Sequence, residues 1–291
     1  MPQLYIEQMK LEKVTLDETE CFAPIFLDYI NQKDALKPFY NTFPSVENFE
    51  KLIKDRQLSE DHRAILVHVL NRQYGALDKP EAVDFNIHSL GNDKTFTITT
   101  GHQLNIFTGP LYFIYKIVTV INACKSLKQQ YPDCHFVPVY WMASEDHDLE
   151  EISHFNLFGK KYQWETDQKG PVGRMKPHSL NSVIDQLPES VPLFEQAYLD
   201  HDNLADAVRY YVNELFGDQG LVVVDADNPN IFAYSRTLNN DKVLIVGNLT
   251  DKVSQLNIDI DVKHTETLLH NYDKDINLNQ IEPYEAFVLK L

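Results

Sequence analysis

Cysteine, glycine and basic side chains are all scarce in this chain, and each scarcity removes a class of protein. The three cysteines in 291 residues, Cys21, Cys124 and Cys134, are odd in number and lack C-x-x-C spacing. They indicate neither a disulfide framework nor a zinc knuckle, and a reducing compartment fits. The ten glycines form neither G-x-G-x-x-G nor G-x-x-x-x-G-K-[ST], so the dinucleotide fingerprint and the P-loop are both missing, as is a G-x-S-x-G elbow. Lys and Arg number 26 against 43 Asp and Glu, a net charge of -17. That balance argues against nucleic acid or an anionic membrane as partner, because both demand a basic footprint. Any anionic ligand must be held locally, by backbone amides, a helix start or a few placed Lys, Arg and His residues. No apolar run approaches the ~20 residues that cross a bilayer. The opening Met-Pro-Gln-Leu-Tyr-Ile-Glu is not built as basic-then-apolar, and the expected location is the cytoplasm.

What is present is periodicity. Between residues 16 and 77 apolar side chains recur at threes and fours, as in Phe22, Ile25, Phe26, Tyr29 and Ile30, and again in Ile65, Leu66, Val69 and Leu70, which predicts helices. Ser45 and Ser59 stand where caps belong. Between them Leu36-Lys37-Pro38-Phe39-Tyr40-Asn41 is broken by proline and reads as a loop docked on the core. From Thr95 the period changes to two, and Thr95-Phe96-Thr97-Ile98-Thr99 predicts a strand that stops at Gly101. A helix opens near Thr108-Gly109-Pro110, with Leu111, Ile114, Ile117, Val118 and Ile121 as its inner face to about Lys128. Cys124 on that face reads as core filler rather than nucleophile. His135-Phe136-Val137-Pro138-Val139-Tyr140-Trp141 is a second buried strand, and the resulting βαβ unit makes the strands parallel. Another alternation follows, a helix over residues 204 to 216 and then the β-branched run Leu221-Val222-Val223-Val224-Asp225. Residues 152 to 190 are less periodic and are expected as an excursion over the sheet's edge.

At Asn228-Pro229 the pattern changes again. Residues 231–236, 243–248, 253–260, 266–269 and 285–291 read as short strands at hairpin spacing, with Asn239-Asn240-Asp241 as a turn. The expected architecture is α/β: a helical region over residues 1–90, a parallel sheet with flanking helices over 91–228, and a small all-β unit over 229–291.

Ligands of open parallel sheets bind beyond the carboxyl ends of the strands. Those ends offer Thr100-Gly101-His102-Gln103, Ser144-Glu145-Asp146-His147-Asp148 and Asp225-Ala226-Asp227. Gly101 would let backbone approach a ligand closely. His102 could protonate or neutralise a phosphoryl or carboxyl oxygen, and Asp146, His147 or Asp148 could bind an ammonium group or take its proton. Plainer readings stand beside these. His102 could merely hydrogen-bond its loop, and the acidic run could be an ordinary helix start with Ser144 as cap. A metal site is a third reading, but carboxylates with one histidine lack a diagnostic spacing, and no metal is expected.

The run Thr99-Thr100-Gly101-His102-Gln103-Leu104-Asn105-Ile106-Phe107-Thr108-Gly109-Pro110-Leu111-Tyr112, then Tyr115-Lys116, then Pro138-Val139-Tyr140-Trp141-Met142-Ala143-Ser144-Glu145-Asp146-His147-Asp148-Leu149-Glu150-Glu151-Ile152, resembles the BshC family of cysteine-adding enzymes of bacillithiol biosynthesis. Leu36-Lys37-Pro38-Phe39-Tyr40, Gly173-Arg174-Met175 and Gly220-Leu221-Val222-Val223-Val224-Asp225-Ala226-Asp227 resemble it in the same order, so the likeness runs from residue 1 to about 228. It implies a Rossmann-like core and a ligase that joins L-cysteine to glucosaminyl malate through an amide, with the carboxylate activated by a nucleotide, ATP or ADP being the bound form. It further implies His102, Asp146, His147 and Asp148 as catalytic residues, with His102, Gln103 and Lys116 facing the phosphates. Thr100, Gly101, Thr108, Gly109, Ser144, Glu145 and Asp225 would complete the nucleotide and substrate contacts. The family dimerises through a coiled-coil arm that these 291 residues do not include. Asn230-Ile231-Phe232-Ala233-Tyr234-Ser235-Arg236 and the strands after it are instead similar to the carboxyl-terminal β-domain of α-amylase-type glycoside hydrolases. The expectation is thus a composite with a seam at Asn228-Pro229-Asn230 and a ligase core left open, giving exposed apolar surface and little activity. A non-catalytic module that binds a nucleotide or partner is the alternative; a glycoside hydrolase fragment ranks below it, since no barrel precedes the β unit.

Overall fold

The structure is a computed structural model that describes residues 13–75, 77–225, 230–238, 241–256, 258 and 260–291. It divides into two compact units, Met1–Gln57 and Leu58–Leu291.

The first unit holds helices α1 (Pro24–Ile30) and α2 (Phe49–Asp55), with 3-10 turns at Asp17–Thr19, Asp34–Phe39 and Val46–Asn48. Ser45 takes the cap position of the last of these turns. No described residue of this unit is buried. Its aromatic side chains pack on one another instead, Phe22 on Phe26 at 5.0 Å and Tyr29 against Tyr40 at 5.3 Å and Phe43 at 5.4 Å. The docked loop expected around Pro38 is therefore corrected. The segment is a 3-10 helix, closed by the Asp34–Lys37 ion pair, and its Phe39 is 83% exposed. The fixed φ of proline suits such a turn as well as it suits a loop.

The second unit opens on α3 (Glu60–Tyr74), capped by the Ser59 hydroxyl accepting from the His62 amide, and α4 (Glu81–Ser89). Then come β1 (Thr95–Gln103), α5 (Leu111–Gln130) and β2 (His135–Ala143). After α6 (Leu149–Ile152), the antiparallel pair β3 (His154–Leu157) and β4 (Lys160–Gln163) turns through Phe158 and Gly159, both at positive φ. Helices α7 (Asn181–Ile184), α8 (Pro192–Leu199) and α9 (Leu204–Phe216) lead to β5 (Val222–Val224). The sheet order is β1-β2-β5 with every pairing parallel, as the alternation of strand and helix requires. Central β2 is buried almost continuously, whereas edge strand β1 exposes Thr97, Thr99 and Gly101 in alternation.

Two sequence expectations shift here. β1 does not stop at Gly101 but runs on to Gln103, because the parallel register continues through Gly101↔Trp141, His102↔Met142 and Gln103↔Ala143. The inner face of α5 is Phe113, Ile117, Val120, Ile121, Cys124 and Leu127, while Leu111 and Val118 face solvent. Pro110 is the cap residue rather than part of the first turn, which moves the phase so that Phe113 packs on Tyr140 at 5.3 Å.

Residues 152 to 190 pack Phe155 against Phe107, in the loop after edge strand β1, at 4.9 Å. Four buried tyrosines tie the core to backbone: Tyr74 accepts from Val223 N, Tyr198 accepts from Phe107 N, Tyr140 donates to His102 O and Tyr211 donates to Asn105 O. Each hydroxyl satisfies a main-chain group that would otherwise be stranded in an apolar interior.

The last segment is the antiparallel sheet β6-β7-β9-β8, made by β6 (Ile231–Leu238), β7 (Asp241–Asn248), β8 (Glu266–His270) and β9 (Ala286–Lys290). It has its own core of Ile231, Leu244, Val246, Leu278, Ile281, Phe287 and Leu289. The strand expected over residues 253–260 is not formed among the described residues, where only Ser254 pairs, with Ile281. Ser254 N and Leu256 N bond Ile281 O and Leu278 O, but Ile258 N bonds Leu256 O and Ile260 N bonds Ile258 O, so beyond Leu256 these donors turn back on the segment itself instead of extending a ladder. Ala226-Asp227, the seam residues Asn228-Pro229 and the turn residues Asn239-Asn240 lie outside the described residues.

Candidate functional site

The parallel register brings the carboxyl ends of β1, β2 and β5 to one edge of the sheet, with the first turn of α5 beside them. The loop between β1 and α5 is anchored by fully buried Leu104 and Ile106 and then passes through Phe107, Thr108 and Gly109 at φ of 51°, 67° and 60°. Two successive non-glycine residues in the left-handed region carry strain of roughly 1–3 kcal/mol each. Packing holds them there, since the Phe107 ring lies 4.9 to 5.2 Å from Phe155, Phe194 and Tyr198 and its amide donates to the Tyr198 hydroxyl. A Cβ at Gly109 would sit 2.5 Å from the Asn105 side chain. Gly109→Ala is therefore expected to lower stability by about 2 to 3 kcal/mol, read as a lower urea midpoint with unchanged m-value.

That loop fixes Asn105, whose amide stands 3.4 Å from His102 Nδ1. The His102 ring is 8% exposed, stacks on Tyr112 at 5.0 Å and meets the edge of Phe113 at 5.5 Å. Its Nε2 is buried without a hydrogen-bond partner. Burial, and then the Lys116 charge, holds the imidazole below its usual value, so it is neutral at pH 7. Nε2 is thus a buried polar ring atom that no described residue matches, whichever nitrogen carries the proton. Lys116 extends from α5 to within 3.4 Å of Gly101 O and 5.3 Å of the Tyr112 ring.

At the end of β2 the chain turns sharply. The Ser144 hydroxyl donates to Asp225 Oδ1 at 2.5 Å, and Asp225 Oδ2 lies 3.7 Å from Arg209. Gly173 N bonds Ser144 O and Val172 N bonds Asp146 O, clamping the turn from the other side. Only glycine fits at 173, since a Cβ there would stand 2.5 Å from Ser144 Cβ. The plainer reading of the acidic run, with Ser144 as the helix cap, is corrected. Asp148 caps α6 by accepting from Glu151 N at 3.0 Å, and Ser144 is held away by Asp225.

The acidic residues differ in state. Burial, followed by the charges of Asp225 and Asp146, raises the pKa of Glu145, whose Oε2 is buried without a partner. For Asp146 burial also acts upward, but hydrogen bonds from Asp148 N and the Gln103 amide outweigh it and keep the carboxylate ionised. The Gln103 amide reaches Asp146 Oδ2 at 2.8 Å and Glu151 Oε2 at 3.0 Å.

An open cavity of about 400 Å³ lies here, walled by Gly101, His102 and Gln103 of β1, Tyr112 and Lys116 of α5, Trp141 and Ala143 of β2, and Glu151 of α6. Of the residues expected from sequence, Gly101, His102, Gln103 and Lys116 meet in it, and Asp146 joins through Gln103. Ser144, Glu145 and Asp225 form a neighbouring network, while Thr100, Thr108 and Gly109 shape the loop or strand without lining the cavity. His147 and Asp148 are exposed. Tyr112, Trp141 and Glu151 escaped the sequence reading. A signal existed for two: Tyr112 precedes Lys116 by four on one helical face, and Glu151 follows the Asp148 cap by three. Among the described residues no group of three His, Cys, Asp or Glu is placed to hold a metal ion, and no helix is long and apolar enough to cross a membrane. Burial pushes the Cys124 thiol up to about 12, which keeps it inert.

An open parallel sheet with a polar cavity at its strand ends, beside the start of a long helix, defines a Rossmann-like ligand-binding domain. The chain belongs to the family described as bacillithiol biosynthesis BshC, N-terminal Rossmann-like domain, whose model matches residues 9–286. It is 47% identical over 232 residues to a protein of Flavobacterium psychrophilum named "Putative cysteine ligase BshC", covering 75% of this chain and 44% of the relative. Proteins of the same name from Flavobacterium johnsoniae and Bacillus cereus are 46% and 25% identical, each over 77% of this chain and 44% of their own length. The chain thus spans less than half the length of these relatives. Isomaltulose synthase of Erwinia rhapontici covers 31% of the chain and 18% of its own, at 21% identity and a TM-score of 0.19. Trehalose-6-phosphate hydrolase of Bacillus licheniformis covers 33% and 20%, at 22% and 0.19. Likeness so slight carries no argument about residues 230–291.

Proposed function

We propose that this domain serves a cytoplasmic ligase that joins the carboxylate of L-cysteine to the amine of glucosaminyl malate. Amide formation from a free carboxylate in water is uphill, so the carboxylate oxygen that leaves must first be made a leaving group at the expense of ATP. The C–N bond then forms, that oxygen departs with phosphate, and the amine gives up its protons. His102, Gln103 and Lys116 face the oxyanions where carboxylate and phosphate meet. Asp146, the carboxylate kept ionised in the loop, receives the ammonium or its proton, with His147 beside it. Asp148 supports Asp146 through its backbone amide.

The observation that carries this reading is the buried, unpartnered Nε2 of His102 beside Lys116 at the carboxyl end of β1, in a chain of this family. A buried polar atom left unmatched costs about 1–3 kcal/mol, which a ligand atom that pairs with it would recover. In cells that make bacillithiol, His102→Ala in the chromosomal gene is expected to abolish the thiol, and exposed Lys116→Ala to reduce it by about 100-fold, in keeping with loss of one charge-stabilising donor. Unchanged thiol in both would remove the cavity from the mechanism. A binding module without turnover would instead retain nucleotide affinity and form no product.

A further inference from the structure

The cavity walls carry one cation, Lys116, and one carboxylate, Glu151. Among the described residues the two are not paired with each other. The Lys116 ammonium rests on Gly101 O and the Glu151 carboxylate on the Gln103 amide, which also holds Asp146. His102, buried between these charges and affected by both, lines the same cavity, and its Nε2 is buried without a partner.

This charge arrangement is a poor match for a polyphosphate. At contact distance near a protein surface opposite unit charges attract, and like charges repel, by comparable amounts. A ligand bearing three or four negative charges would gain that once from Lys116 and lose comparable amounts to Glu151 and Asp146. A zwitterion meets the walls without excess. Its carboxylate satisfies Lys116 and lies against the His102 wall, and its ammonium satisfies the carboxylates tied to Gln103. The Tyr112 and Trp141 rings offer apolar wall to a short thiol side chain.

We propose that this cavity seats the α-amino acid itself, with Glu151 reading its ammonium and Lys116 and His102 its carboxylate. The proposal rests on the ligase reading and goes beyond it by assigning the pocket to the amino acid rather than the nucleotide and by adding Glu151 to the recognition set. The nucleotide's phosphates then approach the carboxylate from the open mouth of the cavity.

Calorimetric titration of the 291-residue protein with three probes tests this. The probes are L-cysteine, cysteamine, which lacks the carboxylate, and 3-mercaptopropionate, which lacks the ammonium. L-cysteine is expected to bind about tenfold or more tighter than either analogue. Lys116→Met is expected to remove that advantage over cysteamine, and Glu151→Gln the advantage over 3-mercaptopropionate. Both side chains are exposed, so neither substitution threatens the fold. If L-cysteine binds the wild type and both variants equally, the amino acid sits elsewhere, and the ligase reading survives while this proposal does not. If Lys116→Met weakens ATP but not L-cysteine, the pocket belongs to the nucleotide and the proposal is likewise overturned. Failure of L-cysteine to bind at millimolar concentration would overturn both.

Discussion

Arg209→Met is expected to lower the stability of the parallel-sheet core by about 3–5 kcal/mol, the usual consequence of removing one partner from a buried ion pair. Arg209 on α9 is 5% exposed and makes three contacts at the end of β5: Nη1 donates to Val223 O at 2.8 Å, Nη2 lies 3.7 Å from Asp225 Oδ2, and the guanidinium stands 5.5 Å over the Tyr74 ring. Methionine fills much of the volume but takes the guanidinium away from Asp225, whose Oδ1 holds the Ser144 hydroxyl and whose charge already helps to push up the pKa of Glu145. The decisive measurement is a double-mutant cycle in urea. Asp225→Asn removes the charge that faces Arg209, so Arg209→Met with Asp225→Asn should be more stable than Arg209→Met alone. If the two losses simply add, the residues are not coupled and the ion pair is not what holds the strand end.

How much of this was legible in sequence depends on how far apart the interacting groups lie in the chain. The βαβ unit was plain because a period of two, then three to four, then a continuous β-branched run each express burial by immediate neighbours. Gly101 was misread as a strand end because glycine usually weakens a strand, while here the partner register of β2 carries it onward. Ser144 and Asp148 are equally good caps by residue type. Only Asp225, 81 residues from Ser144, decides between them. His102 and Lys116 were recognisable from their place at a strand end and in a motif. Glu151 carried only the capping signal, three residues after Asp148, and a carboxylate there looks like ordinary dipole chemistry until Gln103 is seen to reach it. The Arg209–Asp225–Ser144 chain draws on α9, β5 and β2 together and leaves no local pattern at all.

In the antiparallel sheet, Glu285→Ala is expected to be the most damaging single change, again by about 3–5 kcal/mol. Glu285 has no exposed surface, and its carboxylate accepts from His270 Nε2 at 2.8 Å, Lys274 Nζ at 3.0 Å and Glu282 N at 2.6 Å. It sits immediately before β9, whose Phe287 and Leu289 fill that sheet's core, so losing the carboxylate frees both the turn and the strand it starts. Lys274 is about a third exposed and contributes less, so Lys274→Met should cost about 1 kcal/mol. The same residue sets an acid limit. Burial alone would raise its pKa, but the three hydrogen bonds outweigh burial and hold the carboxylate below its ordinary range. A carboxylate depressed in the folded state contributes stability that is fully present above its unfolded pKa, about 4.3 for glutamate, and is lost as pH falls through the folded value. Urea titrations at descending pH should therefore show this sheet weakening below about pH 4.3, followed through the Tyr272 and Tyr284 signals. Glu285→Gln removes the titrating group, so its profile should be flatter there while starting lower at neutral pH. A wild-type profile as flat as that of Glu285→Gln would show that the carboxylate's charge is not what secures the turn.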